Sequence, residues 1–445
     1  MLISKENLKQ NVSLAWPLAM NSVLMQSMVL IDLLLVAPLG EISIAALGIT
    51  SAIVSLLIGL QNSLGNGTQM IIARATGAGE TQKISTDLMS GLTVNIGFSV
   101  FAFLALWLGA SPLLALVSDN PDIIVQALRY LHVAMFTILV SSLTQVIIVY
   151  FNASRQTRIP MYGFMIEIPC NFLVSWVLVH GLFGVPEMGL QGAAIGSLVA
   201  VFIRLVYLLV MVRNEKNLDV PYGYRHMSRS TVWAHIVEVS PIAANFLVLM
   251  GGMTLYQMLF AQLSVYDYAA ITLIYPWMRI GTQFVNAWAQ ASAITVSQHI
   301  GRNTVSEIPE FVRQAVNITQ ILAVVVALMF FLFSFIVPYI YPNIEVETMH
   351  ALALIAPIYI ATPLVRTYNT ICGHALRAMG DAYKVLRVHV VTQWVVALPL
   401  CVLCIYLGLP VYLVFGVTLL EECLKVINFR AIKAKRLKAY QVLSA

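Results

Sequence analysis

Apolar runs long enough to cross a membrane recur along this whole sequence, and they limit its possible folds more than any other feature. A helix rises about 1.5 Å per residue, so roughly 20 apolar residues cross the ~30 Å hydrocarbon core of a bilayer. Only 10% of the 445 residues are charged, whereas soluble domains carry about 25%. The pattern predicts an all-α polytopic membrane protein with twelve transmembrane helices, at about 13–38, 45–73, 86–110, 129–151, 160–182, 189–212, 235–263, 268–297, 310–340, 350–373, 385–408 and 410–429.

The distribution of charge predicts which loops lie in the cytoplasm, where Lys and Arg collect. With both termini placed inside, bases such as Arg74, Arg155 and Arg302 fall on the cytoplasmic side, and the opposite loops hold mainly acids such as Asp119 and Glu345. The first apolar run shows no small-residue cleavage site, so we expect a retained first helix. We therefore predict a multi-pass membrane protein with both termini cytoplasmic. The net charge of +5 reflects this topology and requires no nucleic-acid partner.

The two halves of the chain are related by a weak internal repeat. An ungapped offset of 224 residues pairs identical residues at equivalent places: Pro17 with Pro241, Asn62 with Asn286, and Gly77 with Gly301. An even number of spans per half makes the repeat parallel, with a pseudo-two-fold axis along the membrane normal and a cavity between the halves. We predict an N-terminal six-helix bundle at 1–213, a cytoplasmic linker at 214–234, and a C-terminal six-helix bundle with a basic cytoplasmic tail at 235–445. We expect a monomer in contact with membrane lipid.

A single acid, Asp32, interrupts the apolar run SVLMQSMVLIDLLLVAPLG at 22–40. An ionised aspartate near the centre of a lipid-exposed helix costs about 2.5–3.5 kcal/mol on insertion scales, so its presence requires a reason. Helical spacing puts Asn21, Met25 and Met28 on the same face, and methionine adapts to different ligands. This face is a candidate lining for a substrate cavity. Alternatively, the methionines fill gaps between helices, Asn21 bonds a neighbouring helix, and Asp32 pairs with a buried arginine.

A second polar stripe lies on the predicted fifth helix, where Glu167, Asn171 and Ser175 follow at i, i+4 and i+8. We expect Asp32 to meet Asn171 and Ser175, because these residues lie at comparable depths. An aspartate that alternates between a wet cavity and a closed bundle would bind and release a proton. Glu167 lies one to two turns nearer the cytoplasm. It is a candidate second proton site, a substrate anchor, or an acid that reaches the inner interface.

Three arginines lie at membrane depth. Arg204 is expected to snorkel to the cytoplasmic interface. Arg279 and Arg366 are deeper, and intramembrane arginines face protein or a watery cavity. They either hold the C-terminal bundle together, by bonding carbonyls or pairing with Glu421 or Glu422, or they line the cavity and favour acidic or zwitterionic substrates.

Further cavity candidates lie in the second half. Gln283 and Asn286 belong to the polar and aromatic segment YPWMRIGTQFVNAWAQ at 275–290. Tyr256 occupies the repeat position of Asp32, so the titrating acid exists only in the first half.

The order and spacing of several segments resemble the multidrug and toxic compound extrusion (MATE) family over about residues 10–430. These segments are SLAWPLAMNSVLMQSMVLID, AALGI with ARATGAGE, GLQGAAIGS, and HALRAMGDAYKV. The resemblance implies two six-helix bundles that export small organic molecules or drugs by rocker-switch alternating access, in exchange for protons or sodium.

The sequence resembles the DinF-like bacterial branch of that family, which implies a protein of the bacterial inner (cytoplasmic) membrane. The resemblance places the essential aspartate of this branch at Asp32 and its helix-5 asparagine at Asn171, and Ser175 stands where the branch has an aspartate. The NorM-like branch uses acids on helices 7 and 10, and the segments 241–264 and 351–373 contain none. Because sodium prefers several oxygen ligands and Ser175 carries no charge, we favour protons over sodium as the coupling ion.

The sequence lacks the usual patterns of catalytic and metal sites. It contains no HExxH, no Gly-rich phosphate loop and no Ser-His-Asp spacing in a strand-turn-helix context. Cys401 and Cys404 form a lone CxxC pair, which favours apolar packing over zinc or redox chemistry. We therefore predict a transporter that is not an enzyme and uses no cofactor or metal. The alternatives are a lipid-linked precursor flippase of the same superfamily and an exporter of an acidic or zwitterionic endogenous metabolite.

Overall fold

The computed structural model describes residues 5–215, 218–341 and 344–443, and nearly all of them are helical. Residues 216 and 217 of the predicted linker lie outside the described residues. The α-helices are α1 (Lys5–Val36), α2 (Glu41–Ala78), α3 (Thr81–Val117), α4 (Pro121–Ala153), α5 (Arg158–His180), α6 (Gly189–Arg213), α7 (Val220–His226), α8 (Arg229–Phe260), α9 (Val265–Gly301), α10 (Ile308–Ile340), α11 (Val346–Ala378), α12 (Ala382–His389), α13 (Leu398–Tyr406) and α14 (Val411–Leu443). Short 3₁₀ helices lie at Ala37–Leu39, Leu182–Gly184 and Val305–Glu307. A π-helical segment, Val390–Ala397, joins α12 to α13.

Within the described part of the chain, ten helices are long and apolar enough to cross a membrane. One of them, Ala382–Tyr406, is made of α12, the π-helical segment and α13. The helices α9 and α14 are 37 and 33 residues long, but both carry charged and polar residues along their length. The fold is therefore that of a nearly all-helical, multi-pass membrane protein.

The chain divides into two compact units. We call Met20–Ala243 the N unit, and Met1–Ala19 together with Ala244–Ala445 the C unit. In the N unit, α4 packs against α2, α3 and α6, and α5 packs against α6; in the C unit, α11 packs against α9, α10 and α14. The first turns of α1 thus belong to the C unit and the first turns of α8 to the N unit, so each of these helices contributes to both units.

The first turns of α1 and of α8 form equivalent side-chain contacts within the units to which they belong. In the C unit, Asn11 Nδ2 donates to Ser292 Oγ at 3.0 Å. In the N unit, Thr68 Oγ1 lies 2.9 Å from His235 Nε2. The 224-residue offset relates Asn11 to His235 and Thr68 to Ser292. The sequence repeat therefore has a structural counterpart at these positions.

Each unit has its own apolar core. Val36, Leu131 and Val179 are buried together in the N unit, whereas Phe260 and Phe415 anchor the aromatic core of the C unit. Polar side chains inside a membrane protein are costly unless they have partners. The buried polar residues within these cores are therefore the natural place to look for a functional site.

Candidate functional site

Asp32 lies on α1 in the N unit, and a chain of hydrogen bonds connects it to two other helices. Ser197 Oγ on α6 donates to Asp32 Oδ2 at 3.4 Å. Asn171 Nδ2 on α5 donates to the same Ser197 oxygen at 2.9 Å. The structure therefore brings Asp32 and Asn171 together, with the hydroxyl of Ser197 between them.

The second carboxyl oxygen of Asp32 lacks a hydrogen-bond partner among the residues that the structure describes. Asp32 Oδ1 is buried and accepts no hydrogen bond within the described residues. The same holds for Asn171 Oδ1 and Ser175 Oγ. No arginine forms an ion pair with Asp32 in the described part of the chain, so the pairing with a buried arginine that the sequence left open is not what the structure shows.

Two glycines on α6 explain why α5 and α6 approach closely enough to form this chain. A Cβ added to Gly192 would lie 2.7 Å from the backbone carbon of Leu178, and one added to Gly196 would lie 2.8 Å from Ser175 N and overlap Ser175 Oγ. Small residues spaced by four allow helices in membranes to pack backbone to backbone. The GxxxG spacing thus sets the position of the residue that follows it, Ser197.

Sequence reasoning did not select Ser197. Its signal was present, because Ser197 is the last residue of GLQGAAIGS, one of the segments that carried the family resemblance. A serine near the start of a helix has many uses, however, and only the packing against α5 shows which acid it contacts.

Glu167 forms a buried ion pair rather than joining Asp32. Arg204 Nη1 lies 2.5 Å from Glu167 Oε2, and Arg204 Nη2 donates to Thr144 Oγ1 at 3.2 Å. The guanidinium carbon also lies 4.4 Å from the centre of the Phe164 ring. Glu167 is 1% exposed and Arg204 is 7% exposed, so the expectation that Arg204 snorkels to the interface is wrong. An acid one helix away compensates its charge and removes the need to reach water.

The remaining residues of the α1 face have different surroundings. Asn21 is buried, and its Oδ1 accepts no hydrogen bond from the described residues. Met25 is 38% exposed, and Met28 is half-buried. The part these side chains play in substrate binding stays a prediction.

In the C unit, the predicted cavity residues separate into a buried and an accessible set. Tyr256 is 4% exposed, and its hydroxyl donates to Glu421 Oε2 at 2.6 Å. Arg279 and Asn286 are exposed and Gln283 is half-buried. The spacing of i, i+4 and i+7 puts these last three residues on one face of α9.

Arg366 is half-buried on α11, and its charge acts on Glu422. The ion-pair partner of Glu421 and Glu422 is Lys425, however, which sequence reasoning did not select. In the described part of the chain, no group of three or more His, Cys, Asp or Glu side chains could hold a metal ion.

Ten apolar spans, together with a buried carboxyl group linked to polar side chains on two neighbouring helices, define a multi-pass membrane protein with a polar site in its helical interior. A family model described as MatE matches residues 17–177 and 241–403. The two matched segments begin at Pro17 and Pro241, the pair that the 224-residue offset relates. The chain belongs to the MatE family of transporters, and the resemblance predicted from the sequence is confirmed.

Individual proteins show the same likeness. The chain is 26% identical over 450 residues to the probable multidrug resistance protein NorM of Bradyrhizobium diazoefficiens, covering 96% of this chain and 94% of that one. It is also similar to a crystal structure of a MATE transporter in a bent conformation, with TM-score 0.88, 17% identity and coverage of 98% and 97%. The bent form of the Vibrio cholerae MATE transporter VcmN gives TM-score 0.86, 19% identity and 98% coverage of both chains. At these identities the solved structures establish the shared fold.

Proposed function

We propose that the protein is a cation-coupled antiporter that exports small organic molecules or drugs from the cytoplasm, with protons as the coupling ion. The family membership and the multidrug resistance name of its relative from Bradyrhizobium support export of such molecules. In this proposal the chain is monomeric, lies in the bacterial inner membrane with both termini cytoplasmic, and alternates access by a rocker-switch motion of two six-helix bundles. The twelve spans are the ten apolar helices together with α9 and α14.

The surroundings of Asp32 are the observation that carries the coupling proposal. One oxygen of the carboxyl group accepts from Ser197, and the other is buried and accepts no hydrogen bond that satisfies normal geometry in the described structure. An isolated ionised carboxylate is strongly disfavoured in such a place. Asp32 is therefore suited to bind a cation when the site is closed and to release it when water reaches the site.

Protons are favoured over sodium by the composition of the site. A sodium ion would take several oxygen ligands, and charged oxygens bind it more strongly than neutral ones. Asn171 and Ser175 supply only neutral oxygens, and the nearby acid Glu167 is already paired with Arg204. A single proton on Asp32 requires none of these extra ligands, and in this proposal Asn171 and Ser197 orient the carboxyl group.

The experiment is efflux from proteoliposomes driven by a pH gradient, comparing the unmodified protein with Asp32→Asn. The substitution keeps the size of the side chain and removes the proton-binding group, so we expect gradient-driven efflux to be lost while expression and unfolding temperature are retained. Asp119→Asn, at an exposed acid outside the helices, is the matched control and should keep full activity. Undiminished efflux by Asp32→Asn would exclude Asp32 as the coupling site. In a separate experiment, sodium in the assay is exchanged for potassium, and a loss of efflux without sodium would identify sodium as the coupling ion.

A specific observation supports one alternative substrate class. Arg279 is exposed on a face of α9 that also carries Gln283 and Asn286, and a polar face of this kind is suited to a water-filled cavity. An accessible arginine favours acidic or zwitterionic molecules. A screen of metabolites exported by cells with and without the protein distinguishes this class from cationic drugs, and export of a lipid-linked precursor would instead indicate a flippase.

A further inference from the structure

The C unit contains a buried ionic cluster that the coupling proposal does not use. On α14, Lys425 Nζ lies 2.5 Å from Glu421 Oε1 and 3.1 Å from Glu422 Oε1. The side chains of Glu421 and Lys425 are 5% and 4% exposed, and that of Glu422 is 12% exposed. Pairs at i, i+3 and i+4 are common on wet helix surfaces. Here both pairs share one ammonium group inside the protein.

All four carboxylate oxygens of this cluster have partners, and the partners come from three helices. Glu421 Oε2 accepts from the hydroxyl of Tyr256 on α8 at 2.6 Å. Glu422 Oε2 accepts from Asn369 Nδ2 on α11 at 2.8 Å. The remaining oxygen of each acid faces Lys425. Side chains of the neighbouring helices thus bind the Oε2 atom of each glutamate. The two Oε1 atoms converge on one position, which the ammonium group of Lys425 fills.

The amide group of Asn369 adds one more oxygen atom beside the cluster. Asn369 Oδ1, on the same amide group that bonds Glu422, is buried and accepts no hydrogen bond from the described residues. Its residue is 5% exposed. Asn369 therefore carries one further oxygen atom without a donor among the described residues, on a side chain that already contacts Glu422.

The charges of the cluster balance only when Lys425 is counted. The groups that act on it from the packed helices are Tyr256, Tyr275, Arg366 and His389. The two glutamates carry two negative charges, and Lys425 and Arg366 supply two positive ones, while His389 Nδ1 lies 2.5 Å from Asn245 Oδ1. Loss of the lysine ammonium would leave one buried negative charge, which is unfavourable without a compensating cation.

We propose that Glu421, Glu422 and Asn369 form a monovalent-cation site in the C unit, and that the ammonium group of Lys425 occupies it permanently. The chain carries its own cation there, so the C unit takes up no ion from solution. Without that ammonium group, the same oxygens bind Na⁺, or a proton on one of the glutamates. This inference does not depend on the transport function, because it concerns ion binding and stability of a different unit.

The test measures how solution cations affect the unfolding temperature of the purified full-length protein. Every variant carries Asp32→Asn, which removes the proposed coupling site from the readout. The temperature is measured in Na⁺, K⁺ or N-methyl-D-glucamine at equal ionic strength, and at acidic and alkaline pH. Asp32→Asn/Lys425→Met should be stabilised saturably by Na⁺ or by acid. Asp32→Asn alone and Asp32→Asn/Lys425→Arg, which both keep a cation at this position, should show no such response.

A second variant separates the carboxylates from the shape of the site. Adding Glu421→Gln and Glu422→Gln to Asp32→Asn/Lys425→Met removes the charges of both glutamates as well as that of the lysine, and should abolish the cation response. The proposal is overturned if the Lys425→Met variant responds to no cation and no pH, or if the Lys425-containing parent responds equally. It is also overturned if the Lys425→Met variant folds in none of these solutions, because an external cation then cannot replace the lysine. This holds whether or not the variant that also carries Glu421→Gln and Glu422→Gln folds.

Discussion

The buried pair of Glu167 and Arg204 provides the sharpest test of the N-unit structure. Replacing Glu167 with Gln leaves the guanidinium of Arg204 in the protein interior with a neutral amide, the hydroxyl of Thr144 and the ring of Phe164. Replacing Arg204 with Met leaves the Glu167 carboxylate without its base. Each single change removes half of the pair and leaves a charge that the surroundings do not balance.

The expected magnitudes follow from the burial of both partners. Glu167 and Arg204 are 1% and 7% exposed, so solvent provides little compensation. Removing one member of a buried pair costs about 3–5 kcal/mol, whereas replacing both by well-packed apolar residues of similar volume is often nearly neutral or stabilising. We therefore expect each single variant to lose about 3 kcal/mol or more of unfolding free energy. Glu167→Gln/Arg204→Met leaves no buried charge, only a buried amide that costs about 1–3 kcal/mol, so its loss should be clearly smaller than the sum of the two single losses.

The assay is a double-mutant cycle on unfolding free energies, measured in a fixed detergent or nanodisc. Transport is measured in parallel, because a second proton site at Glu167 would change the pH dependence of efflux even in the stable double variant. Two single variants that are each as stable as the parent, or a double variant whose loss equals the sum of the two single losses, would refute the ion-pair reasoning.

Two further predictions concern packing. Gly196→Ala puts a Cβ 2.8 Å from Ser175 N, where ordinary contact begins at 3.4 Å. The helices α5 and α6 must then separate by about 0.6 Å, which costs about 1–3 kcal/mol of unfolding free energy. We expect this separation to impair efflux. Gly97→Ala, whose Cβ meets nothing within 4 Å, should instead stabilise its helix by up to about 1 kcal/mol, and equal effects of the two changes on thermal unfolding would contradict this account. Asn11→Ala leaves buried polar partners unsatisfied and should cost about 1–3 kcal/mol of unfolding free energy. The control, Ser13→Ala, changes an exposed side chain and should alter the unfolding temperature little. Similar losses of stability in the two variants would argue against the buried contact of Asn11.

Much of the fold could be predicted from the chain because the membrane imposes it. A bilayer leaves backbone groups no water to bond, so long apolar runs become helices almost regardless of context. The apolar signal is weakest in α9 and α14, the helices at the predicted spans 268–297 and 410–429, because they carry charged side chains such as Arg279 and Lys425. Those charges have roles in tertiary structure, and the sequence shows the charges without their partners.

The candidate site was partly predictable for the same reason. Asp32 was conspicuous because an acid in an apolar run is costly. Asn171 belonged to a polar stripe on the fifth helix at a depth comparable with that of Asp32. Ser197 and Lys425 could not be selected in this way. A hydroxyl and an amine become informative only when the packing of helices shows which oxygens they contact.

By itself, the sequence determined that this chain is a helical membrane protein with an internal repeat, and it singled out Asp32 as the unusual acid of the first half. These properties depend on hydropathy, spacing and repetition, which are local or periodic along the chain. Only the tertiary structure decided that Arg204 pairs with Glu167, that Ser197 connects Asn171 to Asp32, and that Lys425 balances Glu421 and Glu422. Such partnerships join residues on different helices or choose among neighbours on one helix, and they depend on how closely the helices approach, which at α5 and α6 is set by the missing side chains of Gly192 and Gly196.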